Sequence, residues 1–261
     1  MVFYECTPIH YSTTGNGRVI VLIHGFMESL EIWQSLIPTL SEHYQVIAID
    51  LPGHGKTPVL GQVHTMEEMA GVVQAVLTAE DISRAVFVGH SMGGYVALAL
   101  VEQNPNFFSG LCLLHSTATE DTLEKKENRL RSIEAAEKNY SLFISSGVKK
   151  LFNSHSLDRL QEEIDFTKKI ARSNPVDGIT AALHGMRLRK DRQSVLKETD
   201  FPKLLLIGIH DLLLEPQELH AQTEAGCEMS CAEIPTGHMG QLEAPGEVLT
   251  LLKGFMALVK K

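Results

Sequence analysis

A chain of 261 residues with 44% hydrophobic and 21% charged residues has the composition of a globular protein with room for a sizeable core, which excludes a disordered or fibrous chain. Its formal net charge of −9, with no long basic run, argues against nucleic acid or an anionic membrane surface as partner and leaves a small neutral or weakly charged substrate open. No apolar stretch approaches the ~20 residues that span a bilayer, and the start, MVFYECTPIHY, lacks a signal-peptide pattern. A cytoplasmic monomer or homodimer is the default expectation.

In chain order, FYEC and IHYST open as a short antiparallel pair. Five runs then read as buried strands: Val19–His24, Gln45–Asp50, Ala85–His90, Gly110–Ser116 and Lys203–Ile209. They are apolar on both faces, as strands of a parallel sheet covered by helices on both sides must be. A sixth, Cys227–Ile234, alternates more. Helical patterns separate them: Leu30–His43; Thr65–Thr78, opening on a capping-box spelling from Thr65 to Glu68; Met92–Gln103, with Pro105 just past its end; and Glu247–Val259. Strand and helix in alternation predict a doubly wound α/β fold. The four cysteines, Cys6, Cys112, Cys227 and Cys231, match no zinc or redox spacing. Cys112 and Cys231 read as buried thiols. His43, His54 and His64 are separated by long loops, and no metal is expected.

From 117 to 199 the rhythm breaks. The stretch EDTLEKKENRLRSIEAAEKNYSLFI is charged and helical, Ser145-Ser146-Gly147 reads as a hinge or a turn, and Asn174-Pro175 reads as an N-cap followed by Pro at the first helical position. This predicts a helical subdomain inserted between core segments 1–116 and 200–261. Emerging between two strands, it would cover the carboxyl edge of the sheet, where open α/β sheets hold ligands.

The chemistry concentrates at that edge. In Gly89-His90-Ser91-Met92-Gly93 a strand passes into a helix through one residue. Such a turn brings backbone close on either side of the serine, and glycine relieves the clash. Ser91 is a helix cap or a nucleophile on this reading; G-x-S-x-G between strand and helix is the nucleophile elbow. A serine nucleophile needs a base. His238, in the loop between the last strand and the last helix, is the candidate. The base needs an acid to orient it, and Asp211, after the strand KLLLIGI, fits, with Glu215 as fallback. Oxyanion donors would be the backbone N–H groups of Met92, at the helix start, and of Phe26, in the loop His24-Gly25-Phe26-Met27.

Taken together, HGF at 24–26, DLPGHGKT at 50–57, GHSMGG at 89–94, GIHD ending at Asp211 and GHMGQLEAP at 237–245 resemble the α/β-hydrolase fold superfamily, in its cap-bearing serine esterase and lactonase-like branch. The resemblance implies a mostly parallel eight-stranded sheet flanked by helices, with a helical cap. It implies Ser91 as nucleophile, Asp211 as acid, His238 as base, Phe26 and Met92 as oxyanion amides, and no cofactor. Asp50 and His54 fall in what is a structural loop of the family. Serine at the elbow disfavours the dehalogenases and epoxide hydrolases, which carry aspartate there. The expected pocket residues are His24, Phe143, Phe152, Met186 and Met239, with His184 and Arg187 as polar cap residues of interest. The expected activity is hydrolysis of a carboxylic ester, or of a lactone or thioester. C–C bond hydrolysis, perhydrolysis or lyase chemistry on the same three residues is an alternative, as is a small-molecule receptor with residual turnover.

Overall fold

Hydropathy places the strands well, and a computed structural model, which describes residues 2–259, shows how they assemble. They are β1 (Val2–Tyr4), β2 (Thr7–Ile9), β3 (Tyr11–Thr14), β4 (Arg18–Ile23), β5 (Tyr44–Ile49), β6 (Ala85–His90), β7 (Phe108–Leu114), β8 (Lys203–Gly208) and β9 (Met229–Ile234). The main sheet has seven strands in the order β3-β5-β4-β6-β7-β8-β9. All its pairs are parallel except β3 with β5. Every residue of β6 and β8 is buried, which explains their unbroken apolar spelling. The edge strand β9 is half exposed and alternates accordingly. Beneath the sheet, the rings of Phe87 and Phe108 stack at 4.0 Å and those of Phe108 and Phe201 at 5.5 Å.

An eighth strand is absent from this sheet, contrary to the sequence-based expectation. β1 pairs only with β2, through a tight turn with Glu5 and Cys6 at φ 46° and 68°. His10 interrupts the edge: its N–H donates to Thr57 Oγ1 and its C=O accepts from Asp50 N–H. Only the residues after it continue along β5. The Leu30–His43 helix is likewise split, into a 3-10 turn, Leu30–Trp33, and a short helix, Ile37–Ser41. Asp50 Oδ1 accepts from Leu30 N–H at 2.7 Å, and Pro38, with no N–H to give, sits in the first turn of the second piece. Thr65 caps helix Met66–Ala79 by accepting from Glu68 N–H at 3.1 Å.

Between β7 and β8 lie five helices and no strand: Leu123–Lys138, Tyr140–Lys149, Gln161–Ser173, Val176–Leu188 and Gln193–Glu198. Asn174 does not cap the fourth. Its buried side chain instead accepts from Gly55 N–H at 2.8 Å and donates to Glu28 O at 3.2 Å, bolting the helical segment to the core. Next to this bolt, Gly178 packs so closely on Gly53 that an added Cβ would lie 2.3 Å from Gly53 O. The Ser145-Ser146-Gly147 hinge expectation also fails: all three residues lie inside helix Tyr140–Lys149, where both hydroxyls bond carbonyls four residues back. Buried Arg192 returns the chain to the core by pairing with Glu67 and Glu102 at 2.6 and 3.0 Å. Cys112 is buried, but Cys231, on the edge strand, is only half buried, so a fully buried thiol there was a misreading. No described helix is long and apolar enough to cross a membrane.

Candidate active site

Ser91 occupies the single residue between β6 and helix Met92–Gln103, with φ 49° and ψ −114°. A non-glycine residue held there is strained, and strain of this kind persists only where the surroundings enforce it. They do: a Cβ on Gly93 would lie 2.1 Å from Ile23 O and one on Gly89 2.6 Å from Gly93 O. The turn is thus as tight as the glycine pattern requires.

The structure brings Ser91, His238 and Asp211 together from three loops at the carboxyl edge. His238 Nε2 lies 2.8 Å from Ser91 Oγ, and His238 Nδ1 lies 2.7 Å from Asp211 Oδ2. Asp211 Oδ1 accepts from Leu213 N–H at 2.8 Å. Burial disfavours the carboxylate charge, but His238, by charge and by hydrogen bond, and then His115 and the Leu213 N–H hold the Asp211 carboxyl below its ordinary value. An ionised acid at Nδ1 puts the ring proton on that nitrogen and leaves Nε2 free to accept from the serine. Glu215, the fallback acid, is exposed at the start of helix Pro216–Ala225 and takes no part.

The amides of Phe26 and Met92 share one piece of engineering. In a planar trans peptide, C=O and N–H point in opposite directions, so anchoring the carbonyl aims the amide. The Gly25 carbonyl, joined to Phe26 N–H, accepts from His24 Nδ1 at 2.7 Å and from Glu28 N–H at 3.4 Å. The Ser91 carbonyl, joined to Met92 N–H, accepts from Ser116 Oγ at 2.7 Å and from Gly94 N–H at 2.9 Å. Neither amide has a protein acceptor among the described residues. His24 is held in one tautomer because its Nε2 accepts from Leu51 N–H at 3.0 Å.

Beneath these groups lies a buried pair that sequence reasoning missed. His90 Nδ1 is 3.0 Å from the Glu28 carboxylate, and His90 Nε2 is 2.8 Å from His238 O. Both ring nitrogens face acceptors, so both donate and the ring is an imidazolium. Burial opposes that charge, yet Glu28 raises the His90 pKa overall, and His90 lowers that of Glu28 despite its burial. Glu28 also accepts from Gly25 N–H at 2.6 Å. One ion pair therefore fixes both the Phe26 loop and the backbone of His238. His115 completes the set. Its Nε2 accepts from Gly240 N–H at 3.2 Å, which leaves the proton on Nδ1, 3.8 Å from Asp211 Oδ2. Burial pushes its pKa well below the ordinary value. His90 lies inside the GHSMGG motif and Glu28 two residues past HGF, while Ser116 ends a strand run; only that placement could have flagged them.

A cavity of ≈380 Å3 opens over Ser91 and His238. Of the five expected pocket residues Met186 lines it, and so does Phe26. The other four expected pocket residues do not. His24, Phe152 and Met239 are buried in the packing behind the wall, with His24 committed to Gly25 and Leu51. Phe143 lies half-buried against the core cluster. His184 and Arg187 are half-buried outside the cavity; Asp121, Arg129 and Arg189 take the polar places instead. Three roomier depressions, two flanked by Arg84 and Asp200 and one by Tyr4 and Gly71, contain neither Ser91 nor His238. Asp50 and His54 are structural, as the resemblance implied. Asp50 accepts from Leu30 and Lys56 N–H and meets His10 Nδ1 at 2.7 Å, while His54 Nδ1 bonds Pro52 O at 3.0 Å.

The chain is similar to known proteins in sequence and in fold. The dihydrolipoyllysine-residue acetyltransferase component of the acetoin cleaving system from Pseudomonas putida is 30% identical over 249 residues, 92% of this chain and 64% of that protein. The chain thus spans less than two thirds of that relative's length. A thermophilic esterase from Thermogutta terrifontis, solved with malate bound, superposes with a TM-score of 0.93 at 29% identity, over 98% of this chain and 95% of that one. The enol-lactonase from Burkholderia xenovorans LB400 superposes with a TM-score of 0.90 at 21% identity, over 97% and 98% of the two chains, a likeness of fold alone. The profile of one family, described as alpha/beta hydrolase fold, matches residues 18–245, and with the sheet order and the turn at Ser91 it makes this chain a member of the alpha/beta hydrolase fold family.

Proposed function

We propose that the protein is a serine hydrolase that cleaves carboxylic ester bonds of a small molecule through an acyl-enzyme on Ser91. The observation that carries this reading is the continuous hydrogen-bonded chain Ser91–His238–Asp211, at 2.8 and 2.7 Å, on the floor of a cavity. His238 takes the Ser91 proton as Oγ attacks the carbonyl carbon, and the carbonyl electron pair moves onto oxygen. The Phe26 and Met92 amides receive that oxyanion; each such donor is typically worth about 2.7–4 kcal/mol in the transition state. His238 then protonates the departing alkoxide. In the second half, water gives a proton to His238 and attacks the acyl carbon, and collapse returns the proton to Ser91 and frees the acid. Residues 117–199 act as a cap that shapes the acyl and alcohol sides.

The test is hydrolysis of 4-nitrophenyl esters of graded acyl length by wild type and Ser91→Ala. Turnover confined to the wild type, with a marked length preference, supports the reading. Equal rates in both proteins would refute it.

A further inference from the structure

The walls of the cavity over Ser91 differ in chemistry. Met27, Leu151, Leu183 and Leu213 give apolar lining, and Lys125, Arg129 and Arg189 gather charge around Asp121. Asp121 is nearly inaccessible and pairs with both guanidiniums, Arg189 Nη1 at 2.6 Å and Arg129 through Nε and Nη2. One carboxylate balances one of these cations. Glu28 also reaches the cavity, but its charge is met by His90. Lys125 is half-buried and has no ion-pair partner among the described residues. The wall therefore holds two uncompensated positive charges, in a chain whose net charge is −9.

The donors are also underused. A guanidinium has five N–H groups. Arg129 places two on Asp121 and one against the weak acceptor Met186 Sδ at 3.3 Å. Arg189 gives three, to Thr119 O and Asp121, and its plane is held by stacking 4.1 Å from the Tyr95 ring. Both forks are fixed by the same carboxylate, so their spare N–H groups are oriented before any ligand arrives. A rigid fork beside a free ammonium matches the oxygens of a carboxylate or phosphate group.

We propose that Lys125, Arg129 and Arg189 form a subsite for an anionic group on the substrate. The preferred esters then carry a terminal carboxylate or phosphate-type oxyanion, separated from the scissile carbonyl by an apolar segment that lies on the leucine wall. The substrate class rests on the hydrolase reading above; the anion subsite itself can be tested by binding alone.

The experiment compares mono-4-nitrophenyl esters of adipic to suberic acid with 4-nitrophenyl esters of monocarboxylic acids of equal chain length. The 4-nitrophenyl ester of 6-phosphonohexanoic acid forms a third arm. In wild type at low ionic strength the anionic ester is favoured in kcat/KM by about tenfold at one or more lengths, as a charge-assisted hydrogen bond supplies. Arg129→Gln and Lys125→Gln each bring that ratio toward one, as does added salt. Because the readout is a ratio of two substrates on one protein, a general loss of activity does not mimic it. A larger ratio for the carboxylate or for the phosphonate identifies which oxyanion the fork prefers. In parallel, calorimetry measures monomethyl adipate and methyl hexanoate binding to Ser91→Ala. Ester turnover with no anion preference, and no binding preference, overturns the subsite and leaves the hydrolase reading intact. No turnover, but a binding preference that Arg129→Gln removes, overturns the hydrolase reading and upholds the subsite. Failure of both measurements overturns both.

Discussion

The floor and the roof of the cavity are built on different terms. On the floor each group of the proposed machinery is aimed by a second group. Ser91 is held by its glycines, Met92 N–H by Ser116, Phe26 N–H by His24 and Glu28, and the His238 backbone by His90. The roof is a set of helices bolted down at Asn174, presenting leucines and a basic cluster that Asp121 neutralises only in part. The difference separates chemistry from choice. Reaction geometry tolerates shifts of well under 1 Å and so demands rigid support, whereas substrate preference needs only a wall of the right polarity.

The sharpest way to break that comparison is to remove floor groups. Ser91→Ala lowers kcat on an activated ester by about 10⁶-fold and Asp211→Asn by about 10⁴-fold, with circular dichroism unchanged. A comparable loss from a roof residue such as Arg129 would erase the division. Next in size is Ser116→Ala, which frees one anchor of the Ser91 carbonyl. Steady-state kinetics should show kcat reduced by about tenfold or more with KM little changed, since the misaimed Met92 amide matters only in the transition state. An effect confined to KM would contradict the anchoring role.

Roof attachment is a matter of stability. Asn174→Ala leaves the half-buried Gly55 N–H without its acceptor and cuts the tie to Glu28 O, costing about 1–3 kcal/mol. Calorimetry should register a drop of a few degrees in Tm, and an unchanged Tm would mean the helices are held by packing alone. Stability also depends on pH. Burial lowers the His54 pKa to about 3 and that of His64 to about 4. Both are depressed below the unfolded value near 6.5, so the unfolded chain binds the extra protons on acidification. Their stabilisation is fully present above about pH 6.5 and falls away toward pH 3–4, by about 2 kcal/mol for each histidine between pH 6.5 and 5. His90, with its raised pKa, contributes in the opposite sense, losing stabilisation as pH rises through its folded value. Denaturant midpoints should fall from pH 7 to 5, and His54→Asn should flatten the slope.

The same division explains what the sequence disclosed. Apolar strands and the glycines around Ser91 are local necessities: a buried parallel strand must be apolar on both faces, and a one-residue strand-to-helix turn must clear its backbone. Hence β6 and helix Met92–Gln103 fall where periodicity put them. Asp211 and His238 were readable because each follows a strand at the same sheet edge. The N-terminal edge was less so, since His10 diverts the strand through contacts with Thr57 and Asp50, about forty residues or more away in sequence. The roof was least readable. Helical spacing marks Phe143, Phe152 and Met186 alike as apolar, and only tertiary packing decides that Met186 meets the cavity while Phe152, in the turn after helix Tyr140–Lys149, does not. Nor does anything local tie Asp121 to Arg189, a contact across 68 positions. Asn174-Pro175 spells a helix start, yet tertiary contacts to Gly55 and Glu28 claimed the asparagine.

The central claim is that His238 and Asp211 make Ser91 a nucleophile. Its most direct measurement is intact and peptide mass spectrometry after treatment with a fluorophosphonate at neutral pH. The account predicts a single adduct, on Ser91, formed quickly in wild type, abolished in Ser91→Ala and strongly slowed in His238→Ala. Absence of any adduct on folded wild type, or an adduct that persists in Ser91→Ala, would contradict it.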